Sequence, residues 1–197
     1  LPISIQETAS QTVFRKDPES KKTIIKGMNS NGINEFFSTG DMLGTVLQDV
    51  FTNVNIYDDD IRLLQRRFTS PIAKEGLNFY KYYLMDTLTV ERDTCVHLTF
   101  VPQNSQDFGF TGHLYVLKDS TYAVKKCVMN LPKKTGVNFV NQLDIVQQYE
   151  QLPNGNWVLM DDDMLVDLSL VKSMGGLQVQ RTTKYSNYKF DPIEQRL

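Results

Sequence analysis

The chain has 197 residues, 41% of them hydrophobic and 22% charged, with a formal net charge of −2. That length and balance describe one folded domain of ordinary size and not a disordered chain, and the near-neutral charge leaves no basic footprint for nucleic acid. No apolar run approaches the roughly 18–20 residues that a membrane helix needs, and the start at Leu1 without a leader suggests a fragment excised from a longer protein.

In chain order, residues 1–22 are mixed and polar without a strong period, and Thr23–Met28 fits either a short strand or a helical turn. An extended N-terminal segment is therefore expected over residues 1–35, with a single β-rich domain over 36–197. Ser38 with Asp41 three residues on makes a capping-box signature. Met42, Leu43, Val46, Leu47, Val50 and Phe51 follow as one apolar stripe, which predicts a helix over Ser38–Phe51. A second short helix is expected from the Asp58-Asp59-Asp60 run, because acidic residues favour a helix N-terminus. Ile61, Leu64 and Phe68 supply its buried face, and Ser70-Pro71 ends it.

From Asn78 onward the pattern changes to one strand after another. Alternating segments cover Asn78–Leu88, Thr94–Pro102, Phe108–Leu117, Thr121–Asn130, Val137–Glu150, Trp157–Leu170 and Leu177–Tyr188, separated by short gaps rich in Gly, Pro, Asn, Asp and Ser. Gaps that short exclude parallel crossovers, so the strands form an antiparallel meander. The expected fold is α+β and mainly β: a curved half-barrel of about seven strands, with two short helices covering one face.

Register can be read from the hairpin closed by Leu152–Asn156. Pairing Glu150 with Trp157 sets Phe139, Asn141, Leu143, Ile145 and Tyr149 opposite Leu168, Val166, Met164, Asp162 and Val158, a mostly apolar face. Gln142, Asp144, Gln148, Asp161 and Asp163 form the wet face, and Leu177 and Val179 join Leu168 on the apolar side. Cys95 and Cys127 fall on strands two apart, roughly 9–10 Å at ~4.8 Å per strand step. A disulfide needs Cα atoms within about 7 Å, so both are expected to be buried free thiols.

Several segments resemble a Gram-negative cell-envelope family of unknown function. They are Leu1-Pro2-Ile3, Asn55-Ile56-Tyr57-Asp58, Phe68-Thr69-Ser70-Pro71-Ile72, Tyr80-Lys81-Tyr82-Tyr83-Leu84, Phe100-Val101-Pro102 and Phe108-Gly109-Phe110-Thr111-Gly112, with Glu7-Thr8 and Asn34 between the first two. Proteins of that Bacteroidetes-type family carry a carboxypeptidase-regulatory-like β-sandwich before such a domain and an outer-membrane barrel after it. The resemblance implies a module on the periplasmic side of the outer membrane, with the parent's other domains as neighbours. It brings no catalytic residues. The element order is also similar, in architecture only, to the outer-membrane lipoprotein carrier half-barrel.

Candidate chemistry is sparse. His97 and His113 fall near each other on neighbouring strands, but a metal needs a third ligand, and the expected far-side neighbour of His113 is near Lys125, a repelling cation. Asp58–Asp60 and Asp161–Asp163 lack the alternating ligand spacing of a calcium loop. There is no nucleophile elbow, no phosphate-cradling Gly loop and no exposed electropositive cysteine. No cofactor is expected, and an envelope hydrolase is the least favoured alternative. The aromatics Phe79, Tyr80, Tyr82, Tyr83, Phe100, Phe108, Phe110 and Phe139 read first as core, and second as the wall of an apolar cleft. Such a cleft is expected between the first helix and the sheet, at Val46, Leu47, Leu143, Met164 and Leu168, holding a lipid or a lipoprotein segment. The rival expectation is a purely structural connector between the sandwich and the barrel.

Overall fold

The computed structural model describes residues 4–15, 17–31, 50, 52–131, 140–169 and 176–190. The chain divides into two compact units: residues 1–47 with 187–197, and residues 48–186. In the first unit, β1 (Ile5–Arg15) and β2 (Ser20–Asn31) pair antiparallel from Ile5 opposite Asn31 to Arg15 opposite Ser20. The undecided Thr23–Met28 segment is thus part of a strand. Nearly every residue of this ribbon is exposed, including Ile5, Phe14, Ile25 and Met28.

The second unit holds the meander. Its strands are β5 (Tyr80–Val90), β6 (Asp93–Pro102), β7 (Thr111–Leu117), β8 (Val124–Leu131), β9 (Val140–Gln151), β10 (Trp157–Ser169) and β11 (Gly176–Lys184), preceded by β3 (Asp60–Leu63), β4 (Arg66–Thr69) and the four-residue helix α1 (Gly76–Phe79). The sheet runs β11-β10-β9-β8-β7-β6-β5 in one open antiparallel array. The seven strands and their order are those the alternation predicts. Alternation also fixes the faces: Met129, Leu143, Ile145, Met164, Val166 and Leu168 are buried, while their neighbours in sequence are half-buried or exposed. The turn between β9 and β10 is closed by Gly155 N–H donating to Leu152 O at 2.8 Å, with Gly155 at φ 85, where glycine avoids the Cβ penalty.

Register departs from the expected pairing in detail. Trp157 faces Gln151, and a shift between Leu159 and Asp161 sets Met164 opposite Ile145 and Val166 opposite Leu143. Because the total displacement there is two residues, the apolar set keeps its face. A second shift between Asp167 and Leu168 brings Val140 inward, and half-buried Asn141 bonds to Asp167 instead of joining the apolar side. Phe139 lies outside the described residues. Both cysteines are free and buried, on strands separated by β7.

The expected pair of covering helices is corrected. Of the helix over Ser38–Phe51, only Val50 is among the described residues. The second helix is a β-hairpin: β3 pairs with β4, Ile61 faces Phe68, and Leu64-Gln65 turn at φ 53 and 57. Two central residues with positive φ make the turn type that matches strand twist. Ile61, Leu64 and Phe68 are still buried. Their spacing satisfies a helix stripe and also a tight hairpin, and the turn uses neither Gly nor Asn, so no sequence signal separates the two.

Tyrosines of β5 fasten this hairpin and the turn after it to the sheet. Tyr80 Oη donates to Thr69 O at 2.7 Å and accepts from Phe110 N at 3.3 Å. Tyr82 Oη donates to Pro71 O at 2.7 Å. Phe68 and Phe110 pack at 4.9 Å between centroids, and Ser70 Oγ donates to Ile56 O.

Candidate functional site

The inner face of the sheet is filled at one end of its strands and open at the other. Toward the Leu131–Leu143–Val166 row it is closely packed, and Leu143, Met164 and Leu168 are at most 1% exposed. These three of the five residues expected to form a cleft belong to the packed core, and Val46 and Leu47 lie outside the described residues. Toward the Val124–Tyr149–Leu159 end lies a cleft of about 1010 Å³. Its floor is Leu98, Leu114, Val116, Val124 and Tyr149, with Trp157 and Leu159 of β10 at the far side. Its wall comes from the segments around β3 and β4: Asn55, Tyr57, Pro71, Ile72 and Ala73. Leu77 of α1 and Tyr122 of the β7–β8 loop complete it. Among the described residues the lining carries no Asp, Glu, Lys, Arg or His. From Tyr82 on β5 to Leu159 on β10 the cleft crosses six strands, about 24 Å at ~4.8 Å per step.

A buried polar network positions the wall. Gln147 Nε2 donates to Val54 O at 2.8 Å and to Asp162 Oδ1 at 3.0 Å, and Tyr149 Oη donates to Gln147 Oε1 at 2.9 Å. Arg181 donates to Asp162 and, at 2.7 Å each, to the carbonyls of Val50 and Thr52. Val50, Thr52 and Val54 are thereby tied to β9 and β11, which fixes where Asn55 and Tyr57 begin the wall. Tyr57 then meets Tyr149 edge-on at 5.8 Å. Burial raises the Tyr57 and Tyr149 phenols and pushes Tyr82 up to about 12, so all three stay protonated hydrogen-bond donors. Among the described residues the cleft therefore presents apolar and neutral polar surface.

Of the aromatics singled out in the sequence, Tyr80, Phe100 and Phe110 are core, Tyr82 lines the cleft, and Tyr83 and Phe108 are exposed. Tyr57, Tyr122, Tyr149 and Trp157 are cleft residues that sequence reasoning passed over. Trp157 Nε1 has no hydrogen-bond partner among the described residues although it is shielded from solvent.

The histidines form a separate cluster. His97 Nε2 and His113 Nδ1 are 2.9 Å apart, His97 Nδ1 lies 3.0 Å from Asp86 Oδ1, and His97 stacks on Tyr115 at 4.8 Å. The far-side neighbour of His113 is Val128; Lys125 pairs instead with Glu91 at 2.7 Å and Asp93 at 3.1 Å. Desolvation, then the adjacent His97, lower the His113 pKa. Thr99 Oγ1 lies 3.3 Å from His113 Nδ1. Among the described residues no group of three or more His, Cys, Asp or Glu side chains is placed to hold a metal ion. The acidic triplets are spent locally: Asp58 accepts from Asn55 Nδ2, Asp59 from Lys74 N, and Asp162 from Gln147 and Arg181.

A family model described as a family of unknown function, DUF5686, matches residues 2–188. The chain belongs to DUF5686. The match covers both the ribbon and the meander, so the cleft lies in family sequence and not in an appended segment. No curated protein and no solved structure matches this DUF5686 chain.

Proposed function

We propose that this domain is a non-enzymatic binding module for an elongated apolar ligand, an acyl chain or the lipid-bearing segment of a lipoprotein. It would serve on the periplasmic side of the outer membrane within a larger envelope protein. The observation that carries this is the cleft: about 1010 Å³, lined among the described residues by no Asp, Glu, Lys, Arg or His, and running across six strands. Small-molecule sites are mostly apolar concavities of about 300–1,000 Å³ with few polar groups, and a span of about 24 Å suits a long hydrocarbon better than a compact metabolite. The envelope setting, with a sandwich before the domain and a barrel after it, comes from the family resemblance.

A chain burying ~300 Å² would gain roughly 7 kcal/mol before association costs. Affinity is then micromolar at best. Titration of the full chain with a fluorescent fatty-acid probe tests this: saturable binding in the micromolar to tens-of-micromolar range is expected. The closely packed core at Leu143, Met164 and Leu168 favours the connector alternative for that half of the sheet. A purely structural connector binds no probe, so the absence of saturable uptake would overturn the carrier proposal.

A further inference from the structure

Two of the residues that line the cleft also project from it. Leu77 is 77% exposed and Tyr122 is 74% exposed, though both face the same opening. A lining residue that keeps three quarters of its surface in solvent stands at the mouth. They come from different elements, and each is held in place. Leu77 sits in α1, whose carbonyl at that residue accepts from Gln103 Nε2 at 2.7 Å. Tyr122 sits in a loop fixed by Thr121 N and Oγ1, which donate to Asp119 Oδ1 at 2.8 and 2.6 Å, and by Leu117 N donating to Ala123 O at 2.9 Å.

The backbone at Tyr122 is informative in itself. Its φ of 49 lies in the left-handed region, where a bulky side chain is a genuine outlier. Gly or Asn would adopt it at lower cost. The surrounding hydrogen bonds impose that conformation, and its effect is to present an aromatic ring outward at the cleft mouth. Backbone strain of this kind is a pointer to function. Tyrosine is also a side chain suited to a lipid headgroup region, with an apolar ring and a polar tip.

We infer that the mouth of the cleft docks on a lipid bilayer surface, with Leu77 and Tyr122 inserted at the headgroup boundary so that the opening faces the acyl chains. This rests on the acyl-chain assignment of the cleft: a long hydrocarbon reaches a protein from a bilayer and scarcely from water. The described residues that line the cleft carry no Asp, Glu, Lys, Arg or His, and the charges beside the two anchors are of both signs, Lys74 and Glu75 before Leu77 and Lys118 and Asp119 before Tyr122, so attraction is apolar and the matching surface is zwitterionic.

The test is co-sedimentation of the full chain with phosphatidylcholine vesicles. Wild type is expected to sediment with vesicles, and Leu77→Asp/Tyr122→Asp to lower the bound fraction at least about tenfold, the scale set by withdrawing two apolar side chains. Tyr122→Asn, which suits the left-handed backbone and so folds at least as well as wild type, is expected to lower it also. Leu84→Asp is the control: Leu84 is 72% exposed on edge strand β5 but does not line the cleft, and that variant should sediment like wild type. Failure of wild type to sediment, or an equal loss with Leu84→Asp, would overturn the docking. A wild type held on vesicles only through another protein factor would do the same. Failure of the acyl-chain assignment shows elsewhere, as missing saturable uptake of the soluble probe by wild type, so the two are told apart.

Discussion

Asp162 on β10 and Arg181 on β11 form a contact of 2.5 Å between Oδ2 and a guanidinium nitrogen, with side chains only 1% and 10% exposed. Neither residue stands alone, since Arg181 also holds two carbonyls of residues 50–52 and Asp162 accepts from Gln147. Removing one member leaves the other charge buried without its partner, a loss of about 3–5 kcal/mol. Asp162→Ala is therefore expected to lower the urea unfolding free energy by that amount. The double variant Asp162→Ala/Arg181→Met should cost less than the sum of the singles, which a double-mutant cycle reads directly. Strict additivity would mean that the two side chains do not share a network.

Gly112 on β7 faces Phe100 on one side and Met129 on the other. A Cβ there would come within 1.9 Å of Val128 O, a backbone atom that cannot step aside without breaking the ladder. Gly112→Ala should cost about 3 kcal/mol, at the upper end for overpacking. Gly155→Ala meets nothing within 4 Å and suffers only the left-handed backbone at φ 85, so it should cost about 1–2 kcal/mol. A cost at Gly112 no larger than at Gly155, measured by chemical denaturation, would show that the neighbouring strand yields to the added Cβ.

The sheet was legible because each strand carries its own alternation and each turn its own Gly, Pro, Asn or Asp, all local signals. Register was less so. The shift between Leu159 and Asp161 inserts a residue without any glycine to mark it, and only the even displacement preserved the faces. The cover was misread because Ile61, Leu64 and Phe68 satisfy a helical stripe while Leu64-Gln65 form a turn that residue preference argues against. The cleft was the least visible feature. Tyr57, Ile72, Leu77, Tyr149 and Trp157 each look like ordinary core or loop residues, and only the fold brings them together. Asp162 is legible as an exception: in the expected register it stands opposite Ile145, on a face where Asn141 is the other polar residue.

The histidine cluster makes stability depend on pH. His113 has a folded-state pKa below its ordinary 6.5, first through desolvation and second through His97. As pH falls through 6.5 the unfolded chain takes up a proton that the folded chain refuses, so stability falls from there until the folded pKa is passed. The urea midpoint should accordingly be lower well below pH 6.5 than well above it, and His113→Gln should flatten that dependence. A slope unchanged in the variant would assign it to other groups.

Both thiols are buried, and burial pushes the Cys127 thiol far up, which suppresses the thiolate. Native protein should react negligibly with a thiol reagent, whereas denatured, unreduced protein should titrate two thiols per chain. A count of zero would require a bridge across β7, which the strand order forbids.

Filling the cleft is the sharpest test of what it is for. Ala73 and Ala123 line it with half-buried side chains, one from the turn after β4 and one from the loop just before β8. Replacing either with Trp adds an indole to empty space, not to the packed core. Stability should then change by no more than about 0.5 kcal/mol, the usual range away from the core. A Trp occupying the path of the hydrocarbon removes apolar contact worth about 25 cal/mol per Å², so a loss of ~60–100 Å² lowers affinity for a fluorescent fatty acid roughly tenfold or more. The two substitutions enter from different elements, and both should act if the ligand runs the length of the cleft. If Ala73→Trp and Ala123→Trp both bind the probe as wild type does, the hydrocarbon lies elsewhere on the molecule and the cleft is not its site.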